Sequence, residues 1–518
     1  ERGFNWISDS YRNLLQRAVH HRLAVVLGAV VVVAGAAFAY RALDREFIPT
    51  EDRGFFVVFA QAPEGASIDY MIEHQQRAEA IVRKTEGVEH LFSLVGGFVS
   101  VNQGIMFVRL DDDRDRDIQD IVGEIRSQLY GIPGIMAFAQ IPPAIGFGNP
   151  VNYVVRNADF DSLSSGMDRF LARARQVPGL VNVDTDLKVN KPELVVTYDR
   201  DRAEDLGVAV ADVSSTLQTM LGGRRVGTFT RESKLYYVLL QLEQQDRATP
   251  ADMTNLYVRG SGDQPVKLDA LASIEETVGP TRLNHFDRVR SFTLSAGLQE
   301  GFPLGAALDS LDAIAAEVLP RGSSTALSGE SRELEESGNA LVFAFIGALV
   351  FVYMVLAAQF ESLVHPFTVL LSVPLAVTGA LGTLLLTGST LNLFSQIGMV
   401  LLVGLVTKNS ILLVEYANQL KERGMETVEA VLEAGRIRLR PILMTSVATI
   451  IAMVPIALGL GAGSASRRPL GYAIIGGMVF STVLTLFLVP VVYILLDAAR
   501  ERLRHRREAL EPVSVEGR

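Results

Sequence analysis

The chain has 518 residues, of which 49% are hydrophobic, and a formal net charge of −10. It has no cysteine, which excludes disulfides, thiolate metal sites and a cysteine nucleophile. The acidic excess is spread along the polar part with no basic block there, so nothing marks a nucleic-acid-binding surface.

In chain order, residues 1–22 carry Arg12, Arg17 and Arg22 ahead of a first apolar run at 23–40. No A-x-A-like cleavage site follows that run, so it reads as a true membrane span rather than a signal peptide. The chain opens with Glu1 rather than methionine, as a processed or excised piece of something longer would. Residues 41–339 are charged and read as lying outside lipid. Within them the patterning predicts strand 55–62, helix 67–85, strand 88–95, strand 104–110, helix 116–130 and strand 134–140. That order is βαββαβ, the split βαβ pattern. A second copy opens with strand 151–156, helix 160–176 and strand 180–186, and resumes with strand 291–298, helix 304–318 and strand 323–328. The interruption, placed at 187–260, carries strands 193–198 and 235–242 around two short helices.

Five further apolar runs follow, at about 340–358, 366–386, 392–417, 441–461 and 471–496. Each is long enough for a hydrocarbon core roughly 30 Å thick. Lys/Arg bias sets the orientation. Basic clusters precede the first span, lie at Lys421–Arg440 and follow the sixth span; Arg467 and Arg468 oppose the rule but are outnumbered. Both ends are therefore expected in the cytoplasm and 41–339 on the far side.

Five of the six spans contain no Asp, Glu, Lys or Arg. The fourth carries Lys408 near its middle. A charge at that depth costs roughly 2.5–3.5 kcal/mol on insertion scales and is usually paired or functional. Glu415 lies about 10 Å closer to the cytoplasm at 1.5 Å per residue, where a snorkelling anchor and a functional acid are both open readings. An acid facing Lys408 would make and break an ion pair with protonation, as proton-driven transport requires, yet this chain offers no acid at that depth. Thr445 in the fifth span either reaches the same site or bonds its own helix carbonyl. Arg438 is either a cytoplasmic anchor or part of a proton path.

No phosphate loop, nucleophile elbow or H-E-x-x-H motif occurs, and the seven histidines lack ligand spacing. Neither enzymatic catalysis nor a metal site is expected, and no cofactor beyond protons as the coupling ion. Among the aromatics, Phe55, Val57 and Phe59 share one strand face, where core packing is the first reading; Phe59 is also carried as a ligand contact. Phe98 lies in the glycine-flanked loop 96–104, a candidate for ligand contact, and Phe138 lies in 134–148.

One span, a large external region and five clustered spans resemble half of a resistance-nodulation-division (RND) transporter of the multidrug (hydrophobe/amphiphile efflux) branch. The resemblance rests on 48-IPTEDRGFF-56, 403-VGLVTKNSILLVEYA-417, 438-RLRPILMTS-446 and 485-TLFLVPVVY-493, in the order of the family's second half. It implies an α+β membrane protein: a cytoplasmic segment 1–22, a first transmembrane helix 23–40, a first porter subdomain 41–149 and a second at 150–186 and 261–330. A docking insert at 187–260, a five-helix bundle at 340–496 and a cytoplasmic tail at 497–518 complete it. It further implies proton-driven drug export in the bacterial inner membrane, with the porter region periplasmic. Lys408, Asn409, Thr445 and Arg438 match its proton relay, with the acids contributed by the missing N-terminal half. Phe98 matches the switch loop, which is shorter here, and Phe138 a pocket phenylalanine beside Gln140, where the family has a second aromatic. The implied partners are a homotrimer of complete protomers, a periplasmic adaptor, an outer-membrane channel, hydrophobic drugs and membrane lipids. An RND-related lipid or protein-export component, or a non-transporting scaffold half, is the alternative.

Overall fold

The computed structural model describes residues 2–49, 51–96, 100–142, 148–261, 264–299, 301–460 and 464–508. The chain starts with helix α1 (Arg2–His20), which the sequence reading did not anticipate. Ser8, Tyr11, Leu15 and Val19 recur at helical spacing and form its buried stripe. The Tyr11 hydroxyl donates to the Leu486 carbonyl at 2.8 Å, tying this helix to the bundle. Helix α2 (Arg22–Ala42) follows.

The first α/β unit comprises β1 (Phe55–Gln61), α3 (Ile68–Lys84), β2 (Val88–Val95), β3 (Gln103–Leu110), α4 (Ile118–Leu129) and β4 (Met136–Gln140). Ser67 and Asp117 cap the two helices through backbone N–H groups of Tyr70 and Gln119. The strands form an antiparallel sheet in the order β2-β3-β1-β4. Because strand side chains alternate, Phe56, Val58 and Ala60 point to the helices and pack with Met71, Val82, Ile121 and Ile125. Phe55 and Phe59 therefore face away from that core, contrary to the packing expected of them.

The second unit begins with β5 (Val151–Arg156), α5 (Phe160–Ala174) and β6 (Leu180–Thr185). An insertion then supplies β7 (Lys191–Tyr198), α6 (Arg200–Asp205), α7 (Val210–Leu217), β8 (Arg224–Arg231), β9 (Lys234–Leu240), α8 (Pro250–Thr254), β10 (Tyr257–Arg259), β11 (Pro265–Lys267) and β12 (Ala272–Gly279). The unit closes with β13 (Asn284–Phe286), β14 (Val289–Leu298), α9 (Leu304–Val318) and β15 (Ser324–Leu327). Its sheet runs β13-β14-β5-β15, with β6 also on β14.

The expected insertion limit at residue 260 is corrected. Strand β12 pairs with β7 along its whole length, from Ala272 opposite Tyr198 to Gly279 opposite Lys191. Ala203, Val208 and Val213 share one small core with Val258, Leu268 and Leu271. The inserted unit thus continues through residue 279. Its closing strand, 272-ASIEETVG-279, is acidic and mostly exposed, so it carries no clear period-2 alternation to announce it.

The remaining elements are α10 (Gly329–Phe360), α11 (His365–Leu370), α12 (Ser372–Leu386), α13 (Leu393–Glu422), α14 (Thr427–Leu458) and α15 (Arg468–Glu508). Among the described residues, six helices are long and apolar enough to cross a membrane. The break between α11 and α12 falls at Leu371; Pro374 lacks the N–H that would bond the Leu370 carbonyl. Helix α15 packs against α12, α13 and α14. At the α12–α15 crossing, a methyl group on Gly476 would lie 2.8 Å from the Gly379 carbonyl oxygen, so only glycine permits this approach. Half or more of the apolar stretch is buried in α13 and α15, against 6% in α2 and α10. Helices α2 and α10 present apolar surface on nearly all sides.

Candidate functional site

Lys408 lies at the middle of the 30-residue α13. Leu401, Gly404 and Lys408 recur at i, i+3 and i+7 and form an exposed stripe, whereas Val403, Val406, Thr407 and Ser410 face inward. The ammonium thus projects from the outside of this bundle, within an apolar helix. It makes no hydrogen bond or ion pair among the described residues.

The other three sequence-predicted relay residues are positioned differently. Asn409, one residue on and rotated about 100°, is buried. Its amide donates to the Ser446 hydroxyl at 3.0 Å, and the Thr482 hydroxyl donates to the same oxygen at 3.1 Å. This knot joins α13, α14 and α15. Thr445 donates to the Ile442 carbonyl at 3.2 Å, the intrahelical bond weighed as its alternative. The Arg438 guanidinium sits 4.4 Å from the centre of the Tyr416 ring, a cation–π contact between α14 and α13, while its Nε is buried without a hydrogen-bond partner. No hydrogen bond joins any two of Lys408, Asn409, Thr445 and Arg438 among the described residues. Ser446 and Thr482 were missed; lone hydroxyls in apolar spans were their only signal.

In the first sheet, the structure brings Phe59 and Phe138 together. They are direct cross-strand partners on β1 and β4, with ring centres 5.6 Å apart. Both are half-buried on the face opposite the helices. Phe107 on β3 and Phe92 on β2 stack on the same sheet at 6.4 Å, and Phe92 is 60% exposed. Sequence reasoning missed this second pair, although the alternation in 103-QGIMFVRL-110 placed Phe107 opposite the core. Gln140 lies opposite Val57, also on the open face. The result is an aromatic surface able to take flat apolar molecules by stacking and dispersion. Phe98 lies outside the described residues.

A separate apolar groove of about 500 Å³ opens between α2, α9, α10, α12 and α13, lined by Tyr40, Leu308, Phe345, Leu381 and Met399.

The sequence profile of the AcrB/AcrD/AcrF family matches residues 1–497. A protein described as an uncharacterized transporter of Haemophilus influenzae is 32% identical over 500 residues, covering 94% of this chain and 48% of that protein. The chain spans about half the length of the curated relative it matches.

Proposed function

Because the chain belongs to the AcrB/AcrD/AcrF family of RND-type transporters, we propose that it forms one half of a pump exporting hydrophobic or amphiphilic drugs in exchange for protons. A single observation carries this reading: a lysine at mid-span, on an exposed stripe, without an acidic partner among the described residues. An isolated ammonium in hydrocarbon is too costly to retain without use. An acid from the complementary N-terminal half, held against this stripe, would give up its proton when facing Lys408 and regain it when the pair separates. Asn409 acts in the relay by holding α13 against α14; Thr445 and Arg438 border the path.

Substrate contact falls to the open aromatic face carrying Phe59 and Phe138, and Phe98 is assigned the same role from its match to the family's switch loop. The groove beside Phe345 is the membrane-side entry. Three complete protomers, a periplasmic adaptor and an outer-membrane channel would complete the route from the bacterial inner membrane.

The test is Lys408→Ala in the complete transporter, reconstituted in vesicles with an imposed proton gradient. Drug efflux is expected to fall to the background rate, with the assembled protein eluting unchanged on size exclusion. Efflux retained within twofold would refute the coupling role.

A further inference from the structure

Where α10 ends and α11 begins, polar side chains from α13, α14 and α15 gather in a cluster that neither the Lys408 stripe nor the aromatic face includes. Asp497 on α15 accepts from the Lys421 ammonium on α13 and from the Thr427 hydroxyl on α14, the latter at 2.8 Å. The Lys421–Asp497 pair is shielded, its side chains 26% and 13% exposed. One turn earlier on α15, the Tyr493 hydroxyl donates to the Asn418 side-chain carbonyl on α13. A single carboxylate thus ties the ends of three spans together.

His365, the first residue of α11, lies against this tie. Its ring stacks on Tyr493 with centres 5.6 Å and planes 16° apart, and tilts against Phe360 of α10 at 5.9 Å. His365 and Asp497 line the same cavity of about 10 Å³, with Arg500 also on its wall. The charged groups around the ring are Arg500 and Asp497 on α15, and Lys421 and Glu415 on α13. Glu415 already takes the Gln419 amide at 3.1 Å, and Asp497 already takes Lys421 and Thr427.

Histidine is the side chain that changes charge near neutral pH. As a neutral ring, His365 packs between Phe360 and Tyr493 as an aromatic would. Once protonated it places a third cation beside Arg500 and Lys421, and Asp497 on the shared cavity is the acid that can answer it. We propose that these groups form a pH-sensitive latch, in which a protonated His365 draws Asp497 away from Lys421 and frees the end of α13. The neutral, stacked form is the closed one, so the latch is shut above the midpoint of the imidazole titration and opens as pH falls through it. Helix α13 also carries Lys408, and its freed end lies on the side expected to be cytoplasmic, where imported protons arrive. Opening would therefore slow export as acid accumulates there. That consequence rests on the transport reading, whereas the latch itself does not.

The test places a bimane fluorophore on Glu422→Cys, the exposed last residue of α13, in the complete transporter in detergent. The same preparation without the introduced thiol supplies the background. Lowering the pH from about 7.5 to about 5 should shift the emission to longer wavelength in one reversible step, centred between about pH 5 and 6.5. His365→Phe keeps a ring between Phe360 and Tyr493 but cannot titrate, and should abolish the step. His365→Gln should do the same, which keeps the test decisive if one variant does not fold. Asp497→Asn leaves Lys421 without its acid and should show the long-wavelength emission already at about pH 7.5. No step in the otherwise unmutated protein, or a step that survives both His365 substitutions, would overturn the latch. In vesicles held at a constant proton gradient, acidifying the side that bears the α13 end to about pH 6 should slow efflux about twofold or more, and His365→Phe should remove that dependence. Efflux indifferent to that pH would overturn the regulatory consequence. Lys408→Ala should keep the fluorescence step, so a failure of proton coupling and a failure of the latch are told apart.

Discussion

At the residue scale, adjacent positions on α13 do opposite jobs because a helix turns about 100° per residue. Lys408 faces outward and Asn409 inward, although the two side chains read as one motif in sequence. The polarity of Asn409 is absorbed by Ser446, so its substitution is a packing change as much as a chemical one. Interhelical hydrogen bonds in membranes average about 0.6 kcal/mol and reach about 1–2. Asn409→Ala should therefore lower the melting temperature of the detergent-solubilised protein by a few degrees, whereas Lys408→Ala should leave it within error. A larger thermal effect from Lys408→Ala would mean that the ammonium is a structural element and not a proton partner.

At the element scale, two surfaces decide what the helices and sheets tolerate. On β1, Phe56 is fully buried against α3 and α4, while Phe59 is half-buried on the open face. Phe56→Ala should cost about 3–5 kcal/mol, as core phenylalanine truncations do. Phe59→Ala and Phe138→Ala should cost much less in chemical denaturation, yet under the proposed function they should shift which compounds the complete transporter exports. Where α12 crosses α15, Gly476→Val would force the backbones apart, an overpacking expected to cost about 1–3 kcal/mol or more. Gly382→Ala meets nothing within 4 Å and should be neutral or slightly stabilising. Thermal unfolding of the two variants side by side checks this; equal losses would mean that the α12–α15 approach is not tight.

At the scale of the whole molecule, the exposed stripe through Lys408 and the bare apolar faces of α2 and α10 belong together. Soluble folds rarely leave apolar patches of this extent uncovered, and lipid or a complementary bundle has to take them up. The absence of cysteine makes a direct experiment simple, since one introduced thiol is unique in this chain. Gly404→Cys, on the Lys408 stripe, should react with a membrane-permeant maleimide when this chain is produced alone. It should be protected at least severalfold when the complementary half is co-produced. Equal labelling in both preparations would place the complementary half elsewhere, and with it the acids assigned to Lys408.

Much of this architecture was legible because each element obeys one strong local rule. Long apolar runs fold as helices since a backbone in lipid must satisfy its own hydrogen bonds, and the strand–helix alternation at 55–140 and 151–186 has the periods of a split βαβ unit. The unpaired lysine was equally plain, because charge in an apolar run needs no structure to be counted. Other features were decided only by tertiary structure. The phase of β1 turned Phe59 to the open face, a choice that depends on which side α3 and α4 cover. The ladder between β7 and β12 extended the insertion to residue 279, a pairing across some 75 residues of chain. The meeting of Lys421 and Asp497, 76 positions apart, turned two ordinary charges into a tie between α13 and α15. Local periodicity reports what a segment needs to bury, and only the packed chain determines what it is buried against.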